Sequence, residues 1–422
     1  MKFTKSILKN GLRLITVPMK DNPTITVLVM VEAGSKYETK DRSGISHFLE
    51  HMFFKGTKRR PKAIDIAREL DGIGSEWNAF TSQEFTGYYA KADYRHAEVL
   101  LDVVSDIYIH QTLPKPEIEK EKGVIIEEIN MYQDLPQRHV QDLFMELLYG
   151  DQPAGWNIAG SKETVRAVTR EALLEYREKN YVSGATAVVV AGNFDEEKIA
   201  VSIAKRFGGM NKGQKHPKTK VIEKQTEPQV LVQYKKTDQA HLVLGVRTFD
   251  AYSSWNPTLR VLSTILGGGM SSRLFQKLRE DMGVGYYVRS GNDSYTDHGF
   301  FEIATGVDHT RIDEVIRAVL SELVAVKRGL VPPEELKKAK DYVTGNMFLS
   351  LESSDSIADF YGYQEVVKRE LKTPLEIAEL IQKVSAEDIE KVADKIFRPE
   401  CLNLAIVGPY RGNNRFKPLL LL

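Results

Sequence analysis

A pattern that recurs at a constant distance restricts a chain to folds that can be built twice. Displaced by 216 residues, Val27-Leu-Val lies opposite Val243-Leu-Gly, Tyr181 opposite Phe397, and Val190-Ala-Gly opposite Ile406-Val-Gly, all without a gap. One such match carries no weight, but several at a single offset point to two copies of one α/β domain. The 422 residues suffice for two domains of ordinary size. Residues 208–227 are rich in Gly, Lys, Pro and Gln and poor in large apolar groups, which is a connecting composition. The expected organisation is a first domain at 1–210, a linker at 211–227 and a homologous second domain at 228–422.

Within the first copy, 12–19 and 24–32 are rich in Val, Ile, Leu and Thr and read as strands, as do 76–81, 84–92 and 185–192. Helical spacing of apolar residues runs over 43–54, 63–70, 94–110, 116–133 and 195–207. Strands mixed with helices in this way predict an α+β class, two homologous α/β sandwiches with a mixed sheet covered by helices. Lys plus Arg (58) equals Asp plus Glu (58), so the chain lacks the basic surplus that nucleic acid or an anionic membrane selects. No apolar run approaches the roughly 20 residues that span a bilayer. The opening MKFTKSILKNGLRLITV has no apolar core ahead of a small-residue cleavage site, so a cytoplasmic protein without membrane insertion is expected. Cys401 is the single cysteine, which excludes a Cys-based zinc ribbon. Any metal site must come from His and carboxylates.

The sharpest local signal is His47-Phe-Leu-Glu50-His51. At 100° per residue, His47, Glu50, His51 and Phe54 fall within about a third of a helix's circumference, while Ile45, Phe48, Leu49, Met52 and Phe53 take the rest. Histidines at i and i+4 can turn neutral ring nitrogens toward one zinc ion about 2 Å away. A carboxylate between them can activate a zinc-bound water.

Two histidines do not complete a site. On the helix expected over 116–133, Ile118, Ile125, Ile129 and Tyr132 define an inward stripe, with Glu121 and Glu128 at its edge and Glu127 turned away. Carboxylates on an apolar face are costly unless paired or bound to a cation. The alternatives are an ion pair with Lys or Arg, a water-exposed stripe edge, or a metal. With the His-x-x-Glu-His helix available, Glu128 is assigned as third ligand and Glu121 as the group that positions the site.

HFLEHMFFKGT, followed about seventy residues later by EKGVIIEE, resembles the inverted-motif (HxxEH) zinc peptidases. These include insulin-degrading enzyme, pitrilysin and mitochondrial processing peptidase, and the likeness is greatest to bacterial peptidases of the processing-peptidase catalytic-subunit type. The resemblance implies Zn2+ held by His47, His51 and Glu128, with Glu50 as general base. SRLFQKLREDMGVGYYV resembles the family's second-half signature, which implies that Arg279 and Tyr286 bind the substrate carbonyl. Trp77, Asn78, Ala79 and Phe80 resemble the edge strand that pairs with substrate backbone. The resemblance further implies that the chain forms one half of a clamshell peptidase, as a homodimer or a heterodimer with a related chain. In such a clamshell the zinc domain faces the second domain of the opposite half. In the second copy, Ser263, Leu266 and Gly267 stand where His47, Glu50 and His51 stand in the first, and Thr344 replaces Glu128, so one metal per chain is expected. The function expected is a zinc metalloendopeptidase acting on extended or unfolded peptides. The alternative is a noncatalytic scaffold or regulatory subunit of a related peptidase or respiratory complex.

Overall fold

The computed structural model describes residues 2–422. The chain forms two compact units, each with one mixed sheet and covering helices. The first comprises Met1–Ile129, Trp156–Thr219 and Phe348–Thr373. The second comprises Asn130–Gly155, Lys220–Met347 and Pro374–Leu422.

The first unit's sheet is built from β1 (Thr4–Ile7), β2 (Arg13–Pro18), β3 (Thr24–Val31), β4 (Glu76–Thr81), β5 (Thr86–Asp93) and β6 (Thr186–Gly192). Their order across the sheet is β1-β2-β6-β3-β5-β4, with β2 and β6 parallel and the other neighbours antiparallel. β3 and β6 are almost continuously apolar because both of their faces are covered. Alternation along the strands divides the two sides. Ile25, Val27, Val29 and Val31 join Val188 and Val190 in a core with Phe48, Leu49, Leu100 and Val104 from the helices Ile45–Met52 and Ala97–Ile109. Leu28, Met30 and Val189 point the other way, against the helix Ser354–Val367. That helix meets the strands at Gly362, where an added Cβ would sit 2.5 Å from Met30 Sδ.

The second unit repeats this plan. Its strands are β7 (Gln229–Tyr234), β8 (Gln239–Thr248), β9 (Gly285–Ser294), β10 (Gly299–Asp308) and β11 (Asn403–Gly408), ordered β7-β11-β8-β10-β9. The order and strand directions match β2-β6-β3-β5-β4, including the single parallel pair. β7 lies 216 residues beyond β2, and the helix Ala386–Ile396 lies 216 beyond Arg170–Asn180, the offset read from the sequence. The helix Pro136–Tyr149 covers this sheet through Val140, Leu143 and Phe144 against Val243, Phe300 and Ala405. Each sheet is thus covered on one side by a helix drawn from the sequence of the other copy. The expected boundaries at 211–227 follow chain order, whereas packing crosses them at these two helices. The linker itself carries no helix or strand between Phe207 and Gln229, yet it is fastened down: Lys215 pairs with Glu32 and Lys218 with Glu84.

Candidate metal centre

Gly44 starts the His47 helix with φ +91°, a conformation that favours glycine, and a Cβ there would lie 2.5 Å from Ala159 O. The next residues form Ile45–Met52, whose Ile45, Phe48, Leu49 and Met52 are buried in the core. Burial of that face holds His47, Glu50 and His51 on the opposite one. Glu38, outside the helix, completes its N-terminus: one carboxylate oxygen accepts Gly44 N–H at 2.7 Å and the other accepts Ser46 N–H at 2.8 Å. Burial pushes the Glu38 carboxyl up to about 7, against the lowering effect of those bonds.

The long helix Lys115–Asp134 buries Ile118, Ile125 and Ile129 and brings two glutamates to the histidines. His51 Nε2 lies 3.3 Å from His47 Nε2. Glu128 Oε2 is 3.6 Å from His47 Nε2 and 3.5 Å from His51 Nε2. Ligands bound at about 2.0–2.1 Å in a tetrahedron are about 3.3–3.4 Å apart, so these three atoms have the spacing of groups around one zinc-sized ion. Three protein ligands would leave one position of a tetrahedron open. Glu127 on the same helix is exposed to solvent.

Glu121 divides its oxygens. Oε1 lies 2.8 Å from His51 Nδ1 and Oε2 2.7 Å from Lys55 Nζ. The first contact fixes the ring so that Nε2 faces His47 and Glu128. The second is the ion pair that the sequence left open for an inward glutamate. Burial opposes ionisation of Glu121, but its bonds to His51 and Lys55 prevail and lower its pKa. The imidazoles respond in opposite directions. Burial, together with the neighbouring His51, takes His47 down to about 3. Burial also opposes a charged His51, yet the Glu121 bond and the charges of Glu50, Glu121 and Glu128 raise its pKa. A neutral His47 is the form in which a ring nitrogen can coordinate a metal.

Glu50 is held from a strand. Thr81, the last residue of β4, donates its hydroxyl to Glu50 Oε2 at 2.5 Å. Burial raises the Glu50 pKa, with Thr81 opposing and Glu128 adding to the rise. Sequence alone does not single out Thr81, Lys55 or Glu38. HFLEHMFFKGT and Trp77-Asn78-Ala79-Phe80-Thr81 contain Lys55 and Thr81, but nothing local distinguishes them. Trp77 packs against Phe54 with ring centroids 5.0 Å apart, and Asn78 is exposed. Ala79 is buried, and Phe80 covers Gly87, its partner on β5. β4 pairs only with β5 and ends the sheet, so its outer edge has no strand partner among the described residues. Arg279 and Tyr286 belong to the second unit: Arg279 lies over Phe275 in the π-helical segment Gln276–Asp281 that precedes β9, and Tyr286 stands on β9, 64% exposed. Ser263, Leu266 and Gly267 lie in the helix Asn256–Gly267, and Thr344 in the helix Pro333–Ser350, so these positions supply no imidazole or carboxylate.

Residues 14–162 match the family described as Insulinase (Peptidase family M16), and residues 167–343 match its Peptidase M16 inactive domain. A Bacillus subtilis protein named "Uncharacterized zinc protease YmxG" is 37% identical over 404 residues, covering 95% of this chain and 97% of that protein. The chain belongs to peptidase family M16. An "Uncharacterized zinc protease" of Rickettsia felis is 34% identical, over 96% of this chain and 98% of its own length. Among solved structures, a Helicobacter pylori protease shares the fold with a TM-score of 0.89 at 23% identity, covering 97% of this chain and 99% of that one. This M16 chain therefore has the family's two-sheet α+β fold. The inactive-domain match falls largely on the copy that has Ser263, Leu266, Gly267 and Thr344 at the positions of His47, Glu50, His51 and Glu128.

Proposed function

We propose that this M16 chain is a zinc-dependent metalloendopeptidase that hydrolyses extended or unfolded peptides. The observation that carries the reading is the convergence of His47 Nε2, His51 Nε2 and Glu128 Oε2, with a half-buried Glu50 projecting from the same helix turn. Zinc, when bound, supplies Lewis acidity toward a peptide carbonyl and toward water. His47, His51 and Glu128 hold it, and Glu121 orients His51. Glu50 takes a proton from the attacking water and delivers it to the leaving amine, for which a carboxyl pKa raised by burial is suited. β4 offers its free edge to an extended peptide, with Trp77, Asn78, Ala79 and Phe80 along the pairing strand. Arg279 and Tyr286, by resemblance, provide a cation and a phenol donor for the negative charge that grows on the carbonyl oxygen. By the same resemblance, these two residues serve the opposite half's site in a dimer. No helix among the described residues is long and apolar enough to cross a membrane.

The test is mass spectrometry of a library of extended peptides incubated with zinc-loaded protein, with zinc content measured on the same sample. Chelator-sensitive internal cleavage is expected. A chain that binds zinc stoichiometrically and cuts nothing would favour the noncatalytic scaffold.

A further inference from the structure

The Glu50 carboxylate has a single hydrogen-bond donor among the described residues, the Thr81 hydroxyl at 2.5 Å from Oε2. The bond runs from the Thr81 hydroxyl to the carboxylate. Thr81 Oγ1 also lies 3.5 Å from Thr86 Oγ1, its cross-strand partner on β5, but Thr86 spends its proton on Ala33 O at 2.9 Å. Thr86 is fully buried, so it cannot turn to water instead. An ionised Glu50 accepts only, and Thr81 therefore donates to it. The bond restrains a flexible side chain from a strand 31 residues away in sequence, leaving Oε1 without a protein donor.

We propose that Thr81 is the positioning residue of the reaction: its hydroxyl occupies Oε2 and holds Glu50 so that Oε1 is the oxygen that receives the proton. Thr81 also closes β4, so the strand that offers its edge to a peptide is the element that aims the base. Any shift of β4 when a peptide pairs with it would be transmitted to Glu50 through one hydroxyl. This rests on the peptidase reading above.

Three substitutions in the full-length, zinc-loaded protein test it: Thr81→Val, which keeps the shape and removes the hydroxyl, Thr81→Ser, which keeps the hydroxyl, and Glu50→Gln. With a quenched fluorescent extended peptide as substrate, Thr81→Val is expected to lower kcat roughly 10- to 100-fold while KM changes less than about two-fold, as misplacement of a reacting group does. Thr81→Ser should recover kcat to within about three-fold of wild type, a rescue that a purely packing role would not give. Zinc affinity, from competition with a chromophoric chelator, should be unchanged in Thr81→Val. A second readout needs no turnover. In metal-free protein, the unfolding equilibria of wild type, Thr81→Val, Glu50→Gln and the double variant should show coupling of about three-fold or more. Additive effects in that cycle, an unchanged kcat in Thr81→Val, or a loss that Thr81→Ser does not restore would each overturn the positioning role while leaving the peptidase reading intact. A wild-type protein that holds zinc and cleaves no peptide would instead refute the peptidase reading and the role together.

Discussion

Two imidazoles whose Nε2 atoms lie 3.3 Å apart cannot both be protonated without strong repulsion, and the surroundings assign the proton unequally. His47 is driven toward neutrality by burial and by His51, while His51 is supported by Glu121. Glu128 Oε2 lies 3.5–3.6 Å from both nitrogens without hydrogen-bonding either, and a divalent ion in place of that proton would satisfy both rings and Glu128 at once. The two adjacent glutamates of the long helix should then behave differently. Glu128→Ala should lower zinc occupancy of purified protein at least about ten-fold, because it removes one ligand of three. Exposed Glu127→Ala should leave occupancy unchanged. Zinc lost from the Glu127 variant and kept in the Glu128 variant would reverse the assignment. The convergence of these side chains is legible in sequence because His47, Glu50 and His51 share a local period, as do Glu121 and Glu128 with their isoleucines. Thr81 and Glu38 are not, because their contacts depend on how a strand and a loop return to that helix.

At the scale of elements, the centre depends on where the His47 helix begins. Glu38 fastens that start with both oxygens, and burial lifts its pKa from the ordinary 4.5 to about 7. A carboxyl whose pKa is raised by the fold holds its proton more tightly when folded. Its contribution to stability is full below about pH 4.5 and is lost as pH rises through about 7. Glu38→Gln removes this titration. The unfolding midpoint of wild type, taken relative to Glu38→Gln, should therefore be higher at pH 5 than at pH 8. A pH-independent difference between the two would show that Glu38 does not titrate in this window. The helix exchange between sheets is another feature of this scale that sequence conceals. Pro136–Tyr149 and Ser354–Val367 are recognisable as helices, but an apolar face does not name the sheet it covers. Only close fits such as Gly362 against Met30, or Gly245 beneath Phe144, decide that, and they are visible only once the strands are assembled.

Across the whole molecule, the two sheets show one plan used twice, and the candidate metal ligands fall in one copy alone. The repeat offset is legible because β2 and β7 preserve it without insertion, although the packing partners of individual helices are not. The first unit has the candidate ligands His47, His51 and Glu128, and the second has Arg279 and Tyr286, both exposed. If a dimer shares these groups between halves, a Glu50→Gln chain mixed with a Tyr286→Phe chain should recover activity that neither has alone. Random pairing makes about half the dimers mixed, so roughly a quarter of all sites would be free of both lesions. No recovery after subunit exchange has been verified by mass would mean that Tyr286 serves its own chain or neither.

The measurement that bears most directly on a hydrolytic zinc centre compares wild type with Glu50→Gln in one experiment, recording zinc content and peptide turnover on the same samples. The substitution preserves size and every proposed ligand but cannot accept the water's proton. Equal zinc content is predicted, about one ion per chain, with turnover lower by at least roughly two orders of magnitude in the variant. Equal turnover in the two proteins, or loss of zinc along with turnover, would contradict the role given to Glu50.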